Sequence, residues 1–261
     1  MKNVKALSIP RSRGLYATVA AGLLLALAAV PIAAGAQTTG YLNGAPLDHV
    51  VPPPPSDPML VEIDLTLVRA QHSAPGSAAD DEAVGDAKAY FADALIVRFS
   101  EAARMPLSAQ NRPILVHLLS RALKDAGDYA AAGKTKFPRP RPYVEDPGIV
   151  ACNTDFLKPQ ESYPSGHSMN GYTAALILAE VMPDRRQALL ARGIRYGNNR
   201  VVCGVHHPSD VLEGEVLATS YVRALEKDPQ FKADLACARK EQDIAATGTG
   251  ILPGACAVPH P

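Results

Sequence analysis

From about residue 59 onward the apolar positions of this chain recur three and four residues apart, not on every second residue, and the segments they define have the length of helices. Leu60 to His72 and Asp80 to Phe99 read as the first two. A third, opened by Pro113, repeats Leu115, Leu118, Leu119, Ala122, Leu123 and Ala126, which leaves Arg121, Lys124 and Asp125 for the wet side. Prolines are too dense from Lys136 to Pro147 for a helix interior, so the chain there is expected to run extended past Arg139 and Arg141. Gly166 to Met182 is apolar on nearly every side, the pattern of a helix at the centre of a bundle. Arg185 to Tyr196 and Pro208 to Leu225 read as two more helices, and Pro229 to Ala245 as a polar closing one. No run alternates for long enough to make a strand, and there is no internal repeat. The predicted fold is all-α, a compact helical bundle around one buried central helix.

Upstream the pattern changes twice. Lys2, Lys5, Arg11 and Arg13 precede a mostly apolar run from about Leu15 to Ile32, followed by the small residues Ala34, Gly35 and Ala36. That reads as a secretory signal over residues 1–36, cleaved after Ala36. A membrane anchor is the competing reading, since the run approaches the roughly 18 residues of a spanning helix; the small-residue site before polar Gln37 favours cleavage. A periplasmic or secreted protein, with no membrane association once the signal is removed, is therefore expected. Residues 37–58 are rich in Gly, Pro and small polar side chains, with Pro52 to Pro55 forming a stiff stretch, and read as an extended arm lying on the domain or on a neighbouring subunit. Residues 59–261 then form a single helical domain of ample size for a core.

Charge narrows the partners. The chain has 26 basic and 26 acidic residues, and loss of the signal removes four basic residues and no acidic one. A nucleic-acid binder should look basic, so any anion site must concentrate its cations locally. Four cysteines, Cys152, Cys203, Cys237 and Cys256, in an exported chain suggest two disulfides with three possible connectivities. Sequence order suggests Cys152 with Cys203 and Cys237 with Cys256.

Three stretches carry candidate chemistry: Lys134 to Pro142 (KTKFPRPRP), Pro164 to His167 (PSGH) and Arg200 to Asp210 (RVVCGVHHPSD). Together they offer fixed cations, histidines and a carboxylate, which is what phosphoryl transfer needs: charge on several oxygens, a nucleophile, and an acid for the departing oxygen. Each has a bland reading. Ser165 and Gly166 can be a plain capped helix start, although free amides and the positive dipole end there would welcome an anion. The missing glycine before Ser165 argues against a G-x-S-x-G nucleophile elbow. Asp210 can merely answer the dipole of a helix opened by Pro208 with His207 as cap. Alternatively it accepts the Nδ1 proton of a histidine and leaves Nε2 free to attack; spacing does not choose between His206 and His207. Any single Lys or Arg is most often solvated, and Arg139 competes with Arg141.

KxxxxxxRP at Lys134 to Pro142, PSGH at 164 to 167 and RxxxxxHxxxD at Arg200 to Asp210 look like the signature of the type 2 phosphatidic acid phosphatase (PAP2) superfamily, in order and internal spacing. The helical exported form, the SYPSGH context from Ser162 and the RVVCGVH sequence resemble the bacterial class A non-specific acid phosphatases within it. The resemblance implies a helical core related to that of the vanadium haloperoxidases. It implies metal-independent hydrolysis of phosphate monoesters of broad specificity, with phosphotransfer to alcohols as a side activity. By the same resemblance His206 is the nucleophile forming a phosphohistidine, Asp210 orients it, and His167 is the general acid. Lys134, Arg141, Ser165, the Gly166 amide and Arg200 hold the phosphoryl oxygens. No cofactor or metal is implied, although phosphate or vanadate can occupy the site as an anion, and a homo-oligomer is expected from the family and the arm. The family serine before the third-motif arginine is Asn199 here. The alternatives are a vanadate-dependent haloperoxidase, a metal-dependent hydrolase using the same histidines and carboxylate, and a periplasmic phosphate-binding protein without turnover.

Overall fold

The computed structural model describes residues 39–256; the predicted signal, 1–36, lies outside the described residues. Ten α-helices follow one another: α1 Pro58–Gln71, α2 Ala78–Lys88, α3 Ala92–Val97, α4 Ser100–Ala103, α5 Pro113–Lys136, α6 Pro142–Glu145, α7 Gly166–Val181, α8 Arg186–Val202, α9 Pro208–Leu225 and α10 Pro229–Thr247. The described residues contain no strand, only an isolated bridge between Arg139 and Glu161, as the apolar spacing predicts. No described helix is long and apolar enough to cross a membrane.

Helix α7 is the axis. Its buried positions, among them Met169, Ala174, Ile177 and Leu178, cover all sides, and it packs against α5, α8, α9 and α10. Small residues set the closest crossings. A Cβ on Gly171 would strike the Tyr196 ring of α8, and one on Gly214 of α9 would lie 2.6 Å from the Ser165 carbonyl oxygen. These two positions therefore let α8 and α9 approach the start of α7, which is where the candidate motifs meet.

Local signals fix the helix ends. Pro58, Pro113, Pro208 and Pro229 open helices with their fixed φ and dispensable N–H. Asp57, Ser77, Ser165 and Asp228 cap first-turn amides with their side chains. Helix α5 lacks such a cap, and Glu241 of α10 supplies it instead, accepting from the amides of Ile114 at 2.9 Å and Leu115 at 3.0 Å.

Four expectations are corrected. Asp80 to Phe99 is not one helix: it breaks between Lys88 and Ala92. The break exposes carbonyls to stronger tertiary donors, with Tyr196 Oη donating to Ala89 O at 2.6 Å and His167 Nε2 to Ala87 O at 3.0 Å. Residues 142–145 form one helical turn inside the stretch expected to be extended. Helix α8 runs on to Val202, past the expected end at Tyr196. Asp125 is 1% exposed, not on the wet side. Its carboxylate accepts from three successive amides of the arm, Tyr41 at 2.7 Å, Leu42 at 2.8 Å and Asn43 at 3.1 Å. Elsewhere the arm lies on this same chain, through His49 Nε2 to Glu213 at 2.6 Å and Tyr163 Oη to Pro52 O at 3.1 Å. Both disulfides pair as sequence order suggests, Cys152 with Cys203 and Cys237 with Cys256.

Candidate active site

The three motifs converge on one cavity of about 590 Å³ whose wall includes Lys134, Arg141, Gly166, His167, Arg200 and His206. Lys134 reaches it from the last turn of α5, Arg141 from the extended segment before α6, Gly166 and His167 from the start of α7, Arg200 from the end of α8, and His206 from the loop before α9. Ser165 is buried behind Gly166. Its hydroxyl oxygen accepts from Ser168 N at 3.2 Å and its own amide donates to Asp210 O at 2.9 Å.

His206 and His207, which spacing alone does not separate, point in different directions. His207 turns away from the cavity, with Nε2 2.8 Å from Glu145 Oε2. His206 faces it, its Nε2 accepting from Arg141 Nη1 at 3.1 Å and its Nδ1 lying 3.3 Å from Asp210 Oδ2. That pairing puts the ring proton on Nδ1 and leaves the Nε2 lone pair on the cavity side. His167 is held the other way round. Its Nε2 must donate to the Ala87 carbonyl, so Nδ1 is the nitrogen free for proton transfer, and the ring sits edge-on to Tyr90 with centroids 4.8 Å apart.

The arginine ambiguity resolves as well. Arg139 lies outside the cavity wall, bridging Asp210 Oδ1 at 2.7 Å and Asp64 Oδ2 at 2.9 Å, and Ser209 also donates to Asp64. Arg141 is anchored by the carbonyls of Lys158, Val205 and Glu161 at 2.8 to 2.9 Å. Lys134 Nζ donates to the carbonyls of Glu161, Ser162 and Pro164. Arg200 differs from both: it is 1% exposed, yet its Nε and Nη1 have no partner among the described residues. Buried donors are almost always satisfied, so two unmatched guanidinium nitrogens at a cavity wall mark a place for an acceptor-rich anion.

Electrostatics follow from this crowding. Burial, then the charge of Arg141, brings the Lys134 ammonium down to about 7. Burial, then Arg200, pushes His167 well below the ordinary imidazole range. Burial and Arg141 do the same to His206, against the opposing hydrogen bond of Asp210. Burial would raise the Asp210 carboxyl, but hydrogen bonds from both histidines and the charge of Arg139 outweigh it and hold Asp210 ionised. His167 and His206 are therefore neutral at pH 7, beside an excess of positive charge. Among the described residues no three His, Cys, Asp or Glu side chains group to hold a metal ion.

Several supporting residues carry no motif of their own. Ser162 donates to Asp210 Oδ2 at 2.5 Å, and its place in SYPSGH is the one signal for it. Asp86, fully buried, gathers Arg98 Nε at 2.7 Å, Arg192 Nη2 at 2.6 Å and Asn199 Nδ2 at 2.7 Å. Asn199 thus faces Asp86 and steadies the helix end that presents Arg200. Nothing in local spacing announces Asp64, Asp86 or Glu145.

A helical bundle with cations and two histidines on one cavity wall, backed by the Asp210 carboxylate, is an arrangement chemically suited to an oxyanion such as a phosphoryl group. The PAP2 superfamily model matches residues 114–232, from α5 to the start of α10. Over 231 residues the chain is 34% identical to an acid phosphatase of Zymomonas mobilis, covering 88% of this chain and 87% of that one. A non-specific acid phosphatase of Salmonella typhimurium is 31% identical over 201 residues, covering 74% and 78%. Another from Providencia stuartii is 38% identical over 147 residues, covering 55% and 59%. The chain belongs to the PAP2 superfamily.

Proposed function

We propose that this protein is an exported acid phosphatase that hydrolyses phosphate monoesters through a phosphohistidine on His206, without a metal. The observation that carries the reading is the unmatched Arg200 guanidinium on the wall of a cavity that His206, Lys134, Arg141 and His167 also line. The similarity to named acid phosphatases supports the reaction class.

In the first displacement Arg141 Nη1 shifts from His206 Nε2 to the phosphoryl group, the freed Nε2 lone pair attacks phosphorus, and the bond to the ester oxygen breaks. The leaving oxygen keeps the electron pair and takes the proton from Nδ1 of His167. Asp210, on Nδ1 of His206, stabilises the positive ring that results. In the second displacement His167 Nδ1 takes a proton from water, the water oxygen attacks phosphorus, and the P–N electron pair returns to His206. Arg200 and the Gly166 amide donate to the phosphoryl oxygens, Lys134 and Arg141, tied to loop carbonyls, neutralise their charge, and Ser165 supports this wall from behind Gly166.

Magnitude explains the investment in cations. Phosphate-monoester hydrolysis can demand up to ~10²¹-fold acceleration, and a positioned general acid supplies only about 10²–10⁴. The balance falls to covalent catalysis and a prearranged cage for the equatorial charge. The dianion also answers the depressed histidines: bound next to His167, it raises that pKa and restores the acid form.

The direct experiment traps acid-labile phosphate on the protein during turnover of phenyl phosphate and maps it. His206 should carry it and His206→Ala should not; phosphate mapped to Ser165 overturns the mechanism. Full activity in excess chelator is the expected outcome for metal independence. Export predicts a mature amino terminus at Gln37 in the secreted or periplasmic fraction.

A further inference from the structure

The phosphate cage fills only the floor of the cavity; its mouth has a different chemistry. Two phenylalanines line it, Phe91 at 75% exposure and Phe156 at 97%, the highest of any large hydrophobic among the described residues. Single exposed apolar side chains are ordinary, but two aromatic rings on the wall of one polar cavity give it the mixed lining of a ligand pocket. Their placement is built. Phe91 stands in the break between α2 and α3, edge-on to Tyr90 at 5.6 Å, and Tyr90 is itself edge-on to His167 at 4.8 Å. Phe156 rides on the turn closed by Leu157 N to Thr154 O, directly after the Cys152–Cys203 disulfide that ties this loop to the end of α8.

His167 sets the direction. The group that protonates the leaving oxygen stands on the leaving-group side, and the rings of Tyr90 and Phe91 continue outward from it. We infer that Phe91 and Phe156 are specificity-determining residues that receive a planar aromatic leaving group, so that aryl and nucleoside phosphates are preferred to phosphates of aliphatic polyols. This inference rests on the phosphatase reading above. Flat rings stack on such a platform, whereas a polyol gains nothing from it and loses water.

The test compares kcat/KM for phenyl phosphate, a nucleoside 5′-monophosphate and glycerol phosphate in wild type, Phe91→Ala, Phe156→Ala and the double variant. Each single change should lower the aromatic arms by about 3- to 10-fold, the size of one aromatic contact, and leave glycerol phosphate within about twofold. Loss on phenyl phosphate alone assigns the platform to aryl esters; loss on both assigns it to aromatic rings generally. Equal loss on all three substrates, or no loss on either aromatic one, overturns the inference. Both side chains are exposed, so folding is not at stake, and Phe→Leu at each position should recover less than half of the loss. Binding of phenylphosphonate against methylphosphonate in the same variants reads the subsite without turnover. Absence of hydrolysis in wild type would sink the phosphatase reading, whereas an unaltered phenylphosphonate preference in the double variant sinks only the aromatic platform.

Discussion

Lys134 gives the sharpest handle on the proposed site, because its ammonium sits near 7 through burial and the neighbouring Arg141. A cation with that pKa is about nine-tenths present at pH 6 and about one-tenth present at pH 8. If it holds a phosphoryl oxygen, productive capture of substrate should weaken by about tenfold over that interval, equivalent to about 1.4 kcal/mol. Lys134→Arg keeps the charge at every pH in the range. The ratio of wild-type to variant kcat/KM cancels the substrate's own second ionisation near pH 6 and all of the His167 titration except the part set by the charge at position 134. That ratio, which reports the free enzyme, should fall about tenfold from pH 6 to pH 8 whatever the absolute activity of the variant. In kcat the break should move to higher pH, since the bound dianion raises the ammonium pKa. A ratio that stays flat between pH 6 and pH 8 refutes the placing of Lys134 as a titrating member of the cage.

Arg200→Met should cost about 10²–10³ in kcat/KM. The same change should raise the melting temperature, because two buried unpaired donors at about 1–3 kcal/mol each are removed; a thermal shift with vanadate, present in wild type, should vanish. Arg139→Met should instead destabilise by about 3–5 kcal/mol in urea unfolding, as it strands Asp64 and Asp210 in the interior. Cys152→Ser with Cys203→Ser opens a link spanning 51 residues, worth about 4 kcal/mol by loop entropy, and should lower the melting temperature while loosening the loop that carries Phe156.

The helices legible in the sequence are those whose signals are local. Pro113, Pro208 and Pro229 open α5, α9 and α10, and the all-round apolar run of α7 gives the bundle its centre. The misread positions are those where distant partners decide. Lys88 to Phe91 has helix-compatible residues, but Tyr196 captures the Ala89 carbonyl from α8, and His167 captures the Ala87 carbonyl just before it from α7. Asp125 falls on the side of α5 that looks wet, and the arm's amides together with the Tyr221 hydroxyl make its burial tolerable. The site shows the same division. Motif spacing identifies Lys134, His167, Arg200 and Asp210 as candidates. Choosing His206 over His207, or Arg141 over Arg139, depends on which way each side chain turns, and that is set by Glu145, Asp64 and a set of loop carbonyls far away in sequence.

The carboxylate of Asp125 has a consequence for how this protein can be cut and joined. With its acceptors filled by Tyr41, Leu42 and Asn43, the strap works as a clasp whose loss leaves a negative charge inside the bundle with only the Tyr221 hydroxyl to answer it among the described residues. Fusions attached before Thr39 leave the clasp shut. Trimming even a few residues further, through Asn43, should turn a cosmetic truncation into an unfolding one.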